Sequence, residues 1–366
     1  MRSTGGAGIA VTRARVSNQS TRRHPRGHEA NAYSADRATG WYIVRAALYD
    51  RLGPAREVLR VEDVPRPVPA PGEVRVRMEV SGINPTDVKA RSGVVPRPFD
   101  DFQIPHHDGT GHIDACGDGV DEGRIGQRVW VWFAADGSRY GTAAEWTTVS
   151  QDQAVPLPDT ASAELGASLG IPAMTAYHCL FADGALTDAT VLVSGGAGAV
   201  GHFAIELARW RHARVVTTVS SAEKADLARS AGADLVVNYH DDDAAAQITS
   251  FATPMDRIVE VALGANLALD LQLSGPHTTV VSYAATGTDP TLPVRECMSA
   301  NVTLRFMLLY GVPLPQLREA TSGITAALVA GALSSLPVHR FALDQIAEAH
   351  EAVESGRSGK VLIDLR

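Results

Sequence analysis

One stretch constrains this chain more than any other: residues 190–210, TVLVSGGAGAVGHFAIELARW. It reads as a buried β-strand from Thr190 to Ser194, a glycine-rich turn, and a helix reaching about Trp210. Within the turn, Gly196-Ala197-Gly198-Ala199-Val200-Gly201 spells G-x-G-x-x-G. The first glycine permits a tight strand-to-helix turn. The second lets the backbone approach a pyrophosphate, and the third lets helix and strand pack closely. Unpaired N–H groups at the helix start would face the anion, and the helix dipole adds to the attraction. The spacing alone would also suit a purely structural turn. Between a β-branched run and an amphipathic helix, it points to a dinucleotide site.

The rest of the chain supplies a frame for that unit. At 366 residues it is long enough for two domains. A net charge of −8 argues against a nucleic-acid surface. The three cysteines, Cys116, Cys179 and Cys297, are scattered, which fits a reducing cytoplasm and no disulfide framework. No apolar run reaches the roughly 20 residues that span a bilayer. Residues 1–43 differ from the remainder of the chain: up to Gly27 there are six arginines and no acidic residue. Such a segment buries too little to offset its ordering entropy and is expected to be disordered. A transit peptide and a true start near Val44 are the alternatives.

From Val44 to about Val149 short strands dominate. Runs at 45–49, 59–64, 73–81, 112–115 and 128–133 are separated by proline and glycine punctuation, and suggest a small irregular barrel. Residues 163–183 read as helical segments interrupted at Gly170-Ile171-Pro172. Beyond the glycine turn the period becomes strand–helix–strand. Strands are expected at 214–219, 234–238, 257–262 and 278–283, with a helix at 223–231 closed by Gly232. That alternation implies a parallel, doubly wound α/β sheet. A helix at 317–332, a strand at 338–341, a helix at 344–354 and a strand at 360–365 complete the chain.

The end of the second parallel strand bears on the cofactor. An acidic residue there accepts from the ribose 2′-hydroxyl of NAD. This chain has Ser220-Ser221-Ala222-Glu223-Lys224 instead. Hydroxyl donors and a nearby ammonium suit a 2′-phosphate, and so favour NADPH. Ser220 and Glu223 also have capping-box spacing, so Ser220 is expected to cap the next helix as well.

Several ordered motifs resemble the medium-chain dehydrogenase/reductase superfamily, and within it the zinc-free, zeta-crystallin-like NADPH:quinone oxidoreductases. They are Ser81-Gly82-Ile83-Asn84-Pro85-Thr86-Asp87, Ile104-Pro105-His106-His107-Asp108-Gly109-Thr110-Gly111, Ala173-Met174-Thr175-Ala176-Tyr177, the glycine turn, Ala231-Gly232-Ala233-Asp234, Val237-Asn238-Tyr239 and Ser358-Gly359-Lys360-Val361. The resemblance implies a GroES-like β-barrel catalytic domain over 44–165, completed by 315–366. A Rossmann NADP-binding domain would be inserted over 166–314. It further implies a cofactor set of Gly196 to Gly201, Ser220, Ser221, Lys224, Tyr239, Gly264, Ser282 and Lys360, with Thr175 facing the nicotinamide. A homodimer joined through nucleotide-domain edge strands is also implied.

Zinc-dependent relatives carry a cysteine in the first of these motifs, then Gly-His-Glu, then another cysteine. Here Asn84 stands at the first position and Gly170-Ile171 offers no thiolate. His106-His107-Asp108 keeps a histidine and a carboxylate, short of the three protein ligands of a catalytic zinc site, so no metal is expected. The resemblance then implies hydride transfer from NADPH to a quinone in the interdomain cleft, with the protein supplying orientation. Asn84 is the candidate donor to the developing oxyanion, and Asp87 would position it or relay a proton. Asn-Pro-Thr-Asp would equally make a turn and helix cap. Reduction of the double bond of an enone or enoyl thioester, and NADPH binding without turnover, are the competing readings.

Overall fold

A computed structural model describes residues 43–285 and 287–366. The expectation for residues 1–43 therefore lies outside the described residues except at Ile43. Two large sheets organise the fold, beside a two-stranded one of Ile43–Leu48 and Arg60–Pro65. One is parallel and six-stranded, with spatial order Leu235–Asn238, Arg214–Val219, Thr190–Ser194, Met255–Glu260, Ser274–Ser282, Thr303–Phe306. Numbered along the chain this is order 3-2-1-4-5-6, the doubly wound arrangement, and its switch point lies beside Thr190–Ser194. The glycine turn leaves the end of that strand, where ligands bind such sheets. Thr190–Ser194 is buried along its whole length, as a parallel strand covered on both faces must be.

The other sheet has seven strands and curls into the expected barrel. It runs Val338–Ala342, Lys360–Asp364, Glu73–Gly82, Asp108–Cys116, Arg128–Val131, Ala154–Pro156, with Trp146–Ser150 also pairing with Glu73–Gly82. Glu73–Gly82 alternates as read: Val74, Val76, Met78 and Val80 face the core. The C-terminal strand pairs antiparallel with it in the register Leu362↔Gly82, Ile363↔Ser81, Asp364↔Val80. Extending that register by two residues sets Lys360 opposite Asn84.

Two local readings need correction. The helix expected to break at Gly170-Ile171-Pro172 instead begins there, as Gly170–Phe181 after a short helix Ala163–Gly166. Pro172 sits in the first turn, where its missing N–H costs nothing. Helix Leu314–Val329, where the return to the barrel is expected, packs Leu317, Ala320 and Ile324 into a core that holds Trp130 and Phe133 as well as residues of Gly170–Phe181 and Ala199–Trp210, and Val338–Ala342 joins the barrel sheet. Strand Thr303–Phe306 and helix Leu263–Leu273 carry no clear periodic signal, and the sequence reading omits them.

Candidate active site

A cavity of about 1130 Å³ lies between the two sheets. The glycine turn forms one wall through Gly195, Gly198, Ala199 and Val200, joined by Thr175 of helix Gly170–Phe181. Asn84, Thr86 and Lys89 form the opposite wall, and Tyr310, Met307, Phe99 and Tyr283 close the sides. Two loops shape the pocket through Val95, Arg97 to Asp100 and Met307 to Tyr310, and a third contributes residues 135–139.

The glycines divide their work differently from the motif reading. The positive φ of the turn belongs to Gly195, at +74°. Gly196 is required for packing, because a Cβ there would lie 2.1 Å from Thr217 Oγ1. Gly201 is held by the backbone itself: a Cβ would meet Gly195 O at 2.3 Å. Gly198 caps the helix, and a Cβ there would touch only Gly195 O, at 3.4 Å. Gly198 thus faces open cleft at a helix N-terminus, the place for a pyrophosphate. Ala197 is buried beneath the turn.

The other cofactor candidates lie in three places. Lys224 Nζ donates to Ser220 Oγ at 2.9 Å, so an ammonium and a hydroxyl sit together beyond the second strand. The expected cap is corrected by one residue: Ser221, not Ser220, accepts from Lys224 N at 3.3 Å and caps helix Ala222–Ser230. This leaves Ser220 to Lys224. Glu223 is exposed, and Tyr239 is half-exposed after the third strand. Ser282 ends the fifth strand, buried below Tyr283. Gly264 is exposed in the first turn of helix Leu263–Leu273, and Val261 reaches the cleft instead. Lys360 is not among the residues that line the cavity. Its pairing with the Ser81–Gly82 strand end buries it in the barrel, behind Asn84.

Asn84, Asp108 and Lys360 form one buried cluster. Lys360 Nζ donates to Asn84 Oδ1 at 2.6 Å, and Asn84 Nδ2 donates to Asp108 Oδ2 at 2.7 Å. Ile171 N donates to both Asp108 oxygens at 3.0 Å, so the carboxylate also tops the start of helix Gly170–Phe181. Asn84 N donates to Asp87 Oδ2 at 2.7 Å, the reciprocal half of the expected cap on helix Pro85–Ser92. Asp87 does not line the cleft. It lies beneath, with His107 Nε2 at 3.8 Å from its Oδ1. Burial, and then the charge of Asp108, pushes Asp87 up to about 7. Burial raises Asp108 to about 6 against the opposing pull of Lys360, Asn84 and Ile171 N. Burial likewise lowers Lys360, opposed by the two carboxylates.

A second network fixes the histidines. Thr142 Oγ1 donates to Asp108 O at 2.6 Å, which spends its only proton. Ser81 Oγ, 2.7 Å away, must therefore donate to Thr142, and so accepts from His106 Nδ1 at 2.8 Å. His106 Nε2 is then left to accept from His350 Nε2 at 2.9 Å. Both rings are neutral, as full burial requires: His350 falls to about 3 and His106 falls well below its usual range. His106 holds φ +77°, a left-handed conformation uncommon for a side chain of this size.

Sequence reasoning expects the loops at 93–102 and 306–315 to shape the pocket and quotes His107 in a motif, but assigns no individual role to Tyr310, Arg97 or His107. The Tyr310 ring stacks on Phe133 at 4.6 Å, its hydroxyl lies 3.2 Å from Thr86 Oγ1, and the Arg97 guanidinium covers it at 3.9 Å. Arg97 also pairs with Asp136 at 2.6 Å. These residues are scattered along the chain with no mutual spacing, so nothing in the sequence joins them.

The donor set does not fit a zinc ion. Asn84 turns its oxygen to an ammonium, Ile171 offers an N–H, and a dication would face Lys360. Among the described residues no group of three or more His, Cys, Asp or Glu is placed to hold a metal.

Residues 70–159 match the family described as the alcohol dehydrogenase GroES-like domain, and residues 199–325 match the zinc-binding dehydrogenase family. The chain belongs to the medium-chain dehydrogenase/reductase superfamily. Among its relatives in that superfamily is the quinone oxidoreductase of Rattus norvegicus, 29% identical over 89% of this chain and 99% of the relative. The Homo sapiens quinone oxidoreductase is 28% identical over the same shares. A mycobacterial quinone oxidoreductase structure superimposes with TM-score 0.76 at 28% identity, over 88% of this chain and 99% of the other. A mycobacterial structure complexed with NADPH gives TM-score 0.75 at 26% identity, over the same shares. The superfamily's alcohol dehydrogenase fold and this chain's departure from a zinc donor set therefore coexist in one molecule.

Proposed function

We propose that this oxidoreductase reduces a quinone with NADPH, without a metal. One observation carries the reading: a single cavity joins the open helix end at Gly198 to the amide of Asn84, between largely apolar and aromatic walls. NADPH supplies the hydride, so that NADPH, one proton and the quinone give NADP⁺ and the hydroquinone. Gly198 to Val200 would hold the pyrophosphate, and Ser220 with Lys224 the 2′-phosphate. Thr175 lines the same cavity and would face the nicotinamide. Asn84 gives one amide hydrogen to Asp108 and retains a second for a developing oxyanion. The relatives named quinone oxidoreductase and the neighbour solved with NADPH support the same assignment.

The cleft is poorly suited to a phosphate-bearing thioester. Arg97 is paired with Asp136, and Arg139 lies 3.8 and 3.5 Å from Asp100 and Asp101. Two of the cationic side chains of the lining are thus already paired, while Lys89 also stands on the wall. A second copy of the chain is the proposed partner, along the open edge of Thr303–Phe306, where Phe306, Leu308 and Met298 are exposed. No helix among the described residues is long and apolar enough to cross a membrane.

The test is NADPH oxidation against panels of benzoquinones, enones and enoyl thioesters, repeated with NADH. Turnover of quinones with preference for NADPH is expected. Turnover of enoyl thioesters alone, or tight NADPH binding with no turnover of any acceptor, overturns the proposal.

A further inference from the structure

Asn84 is useful as an oxyanion donor only if its amide points one way. An asparagine amide has two nearly isosteric ends, and which end faces where is decided by its neighbours. Here the neighbours leave a single choice. Oδ1 receives the Lys360 ammonium at 2.6 Å and Nδ2 reaches the Asp108 carboxylate at 2.7 Å. Turned over, the amide would set NH₂ against an ammonium and oxygen against a carboxylate, losing both bonds and adding two repulsions. Asn84 and Lys360 are 2% exposed and Asp108 is fully buried, so water cannot compete for these contacts. Asp108 is itself held from behind by Ile171 N. Lys360 is held by the strand pairing that carries Ile83 N to Val361 O at 3.1 Å. Neither Lys360 nor Asp108 lines the cleft. Whatever they contribute to the reaction passes through Asn84.

We propose that Lys360 and Asp108 are positioning residues, which lock the Asn84 amide so that its second N–H is presented to the acceptor in the cleft. The lock also polarises that amide, because its oxygen receives a charge-assisted bond. This rests on Asn84 being the oxyanion donor of the proposed reduction.

Three variants separate the inference from that reading: Asn84→Ala, Lys360→Met and the two combined. Each is measured for kcat, for KM of a benzoquinone and for NADPH affinity by fluorescence titration. Lys360→Met is expected to lower kcat by about tenfold or more, a part of the roughly hundredfold or greater loss of an oxyanion contact, with NADPH affinity unchanged. The double variant is expected to be no slower than Asn84→Ala alone, because the lock has nothing left to act on. A merely structural lysine would slow the double variant further, and that result overturns the inference. So does wild-type kcat in Lys360→Met when Asn84→Ala is slow. Wild-type kcat in Asn84→Ala overturns the underlying reading, and the inference with it. If Lys360→Met fails to fold, Asp108→Asn carries the same measurements: it keeps the shape and removes the charge that forbids the flipped amide.

Discussion

The two walls of the cleft solve the same problem by different means. On the nucleotide side the site is made of backbone. Gly198 offers an open helix end, and its neighbours Gly196 and Gly201 hold that end close to the sheet. On the barrel side the site is made of side chains: Asn84, Asp108 and Lys360, with the N–H of Ile171, gathered from four separate elements. At the glycine turn the first wall is made of uncharged backbone, with Lys224 its charged outpost beyond the second strand. The second is a buried ion cluster beside two neutral histidines, and it depends on every member being present. A backbone site tolerates change wherever a side chain fits; a buried charge network does not.

This contrast between the walls can be challenged at several positions. The largest effect belongs to Gly201→Val. Its Cβ would meet backbone at 2.3 and 2.8 Å, with nothing flexible to yield. A loss of about 3 kcal/mol is expected in urea denaturation. Wild-type stability would show that the turn has slack that its geometry denies. Gly198→Val adds bulk on the open side instead. Stability should change by under about 1 kcal/mol while NADPH affinity drops by about 100-fold, measured by titration. Equal damage to folding would erase the distinction between the glycine that packs and the glycine that faces ligand.

The third test concerns pH. His350 has its folded pKa lowered to about 3 by burial, whereas the unfolded chain protonates at about 6.5. Between those values the unfolded state binds the extra proton, so stability falls as pH falls. His350→Gln should flatten that fall by about one proton, or about 1.4 kcal/mol per pH unit, in melts between about pH 6 and 4. An unchanged slope would mean that the histidine pair is charged or solvated. The smallest effect is expected at the 2′-phosphate. Lys224→Ala should raise KM for NADPH by about fivefold and leave NADH unaffected, the share of one charge-assisted bond. Parallel changes for both cofactors would remove Lys224 from the site.

Legibility in the sequence divides along the same line. The nucleotide wall is legible because its parts are contiguous. A buried strand, a glycine spacing and an amphipathic helix occupy 190–210, and the structure sets them at Thr190–Ser194 and Ala199–Trp210. Even there the turn's left-handed residue is Gly195, one position before the motif. The barrel wall is only half legible. Asn84 stands out by its turn, but its partners lie 24 and 276 residues away. Nothing in the order of residues states that Lys360 faces Asn84; the antiparallel register does. Lys360 therefore reads as a cofactor contact, and the structure gives it to the barrel. The segments that carry Tyr310 and Arg97 are expected at the pocket, but their mutual stacking leaves no periodic trace.

The register that brings Lys360 to Asn84 also sets an order of assembly. The barrel strands through Ala154–Pro156 and the whole parallel sheet precede Val338–Ala342 and Lys360–Asp364 in the chain. When the nucleotide sheet is complete its helix end is in place, whereas the wall around Asn84 still lacks the Lys360 ammonium that bonds to it. In chain order the backbone wall is therefore complete before the side-chain wall, which gains Lys360 only with the last strand.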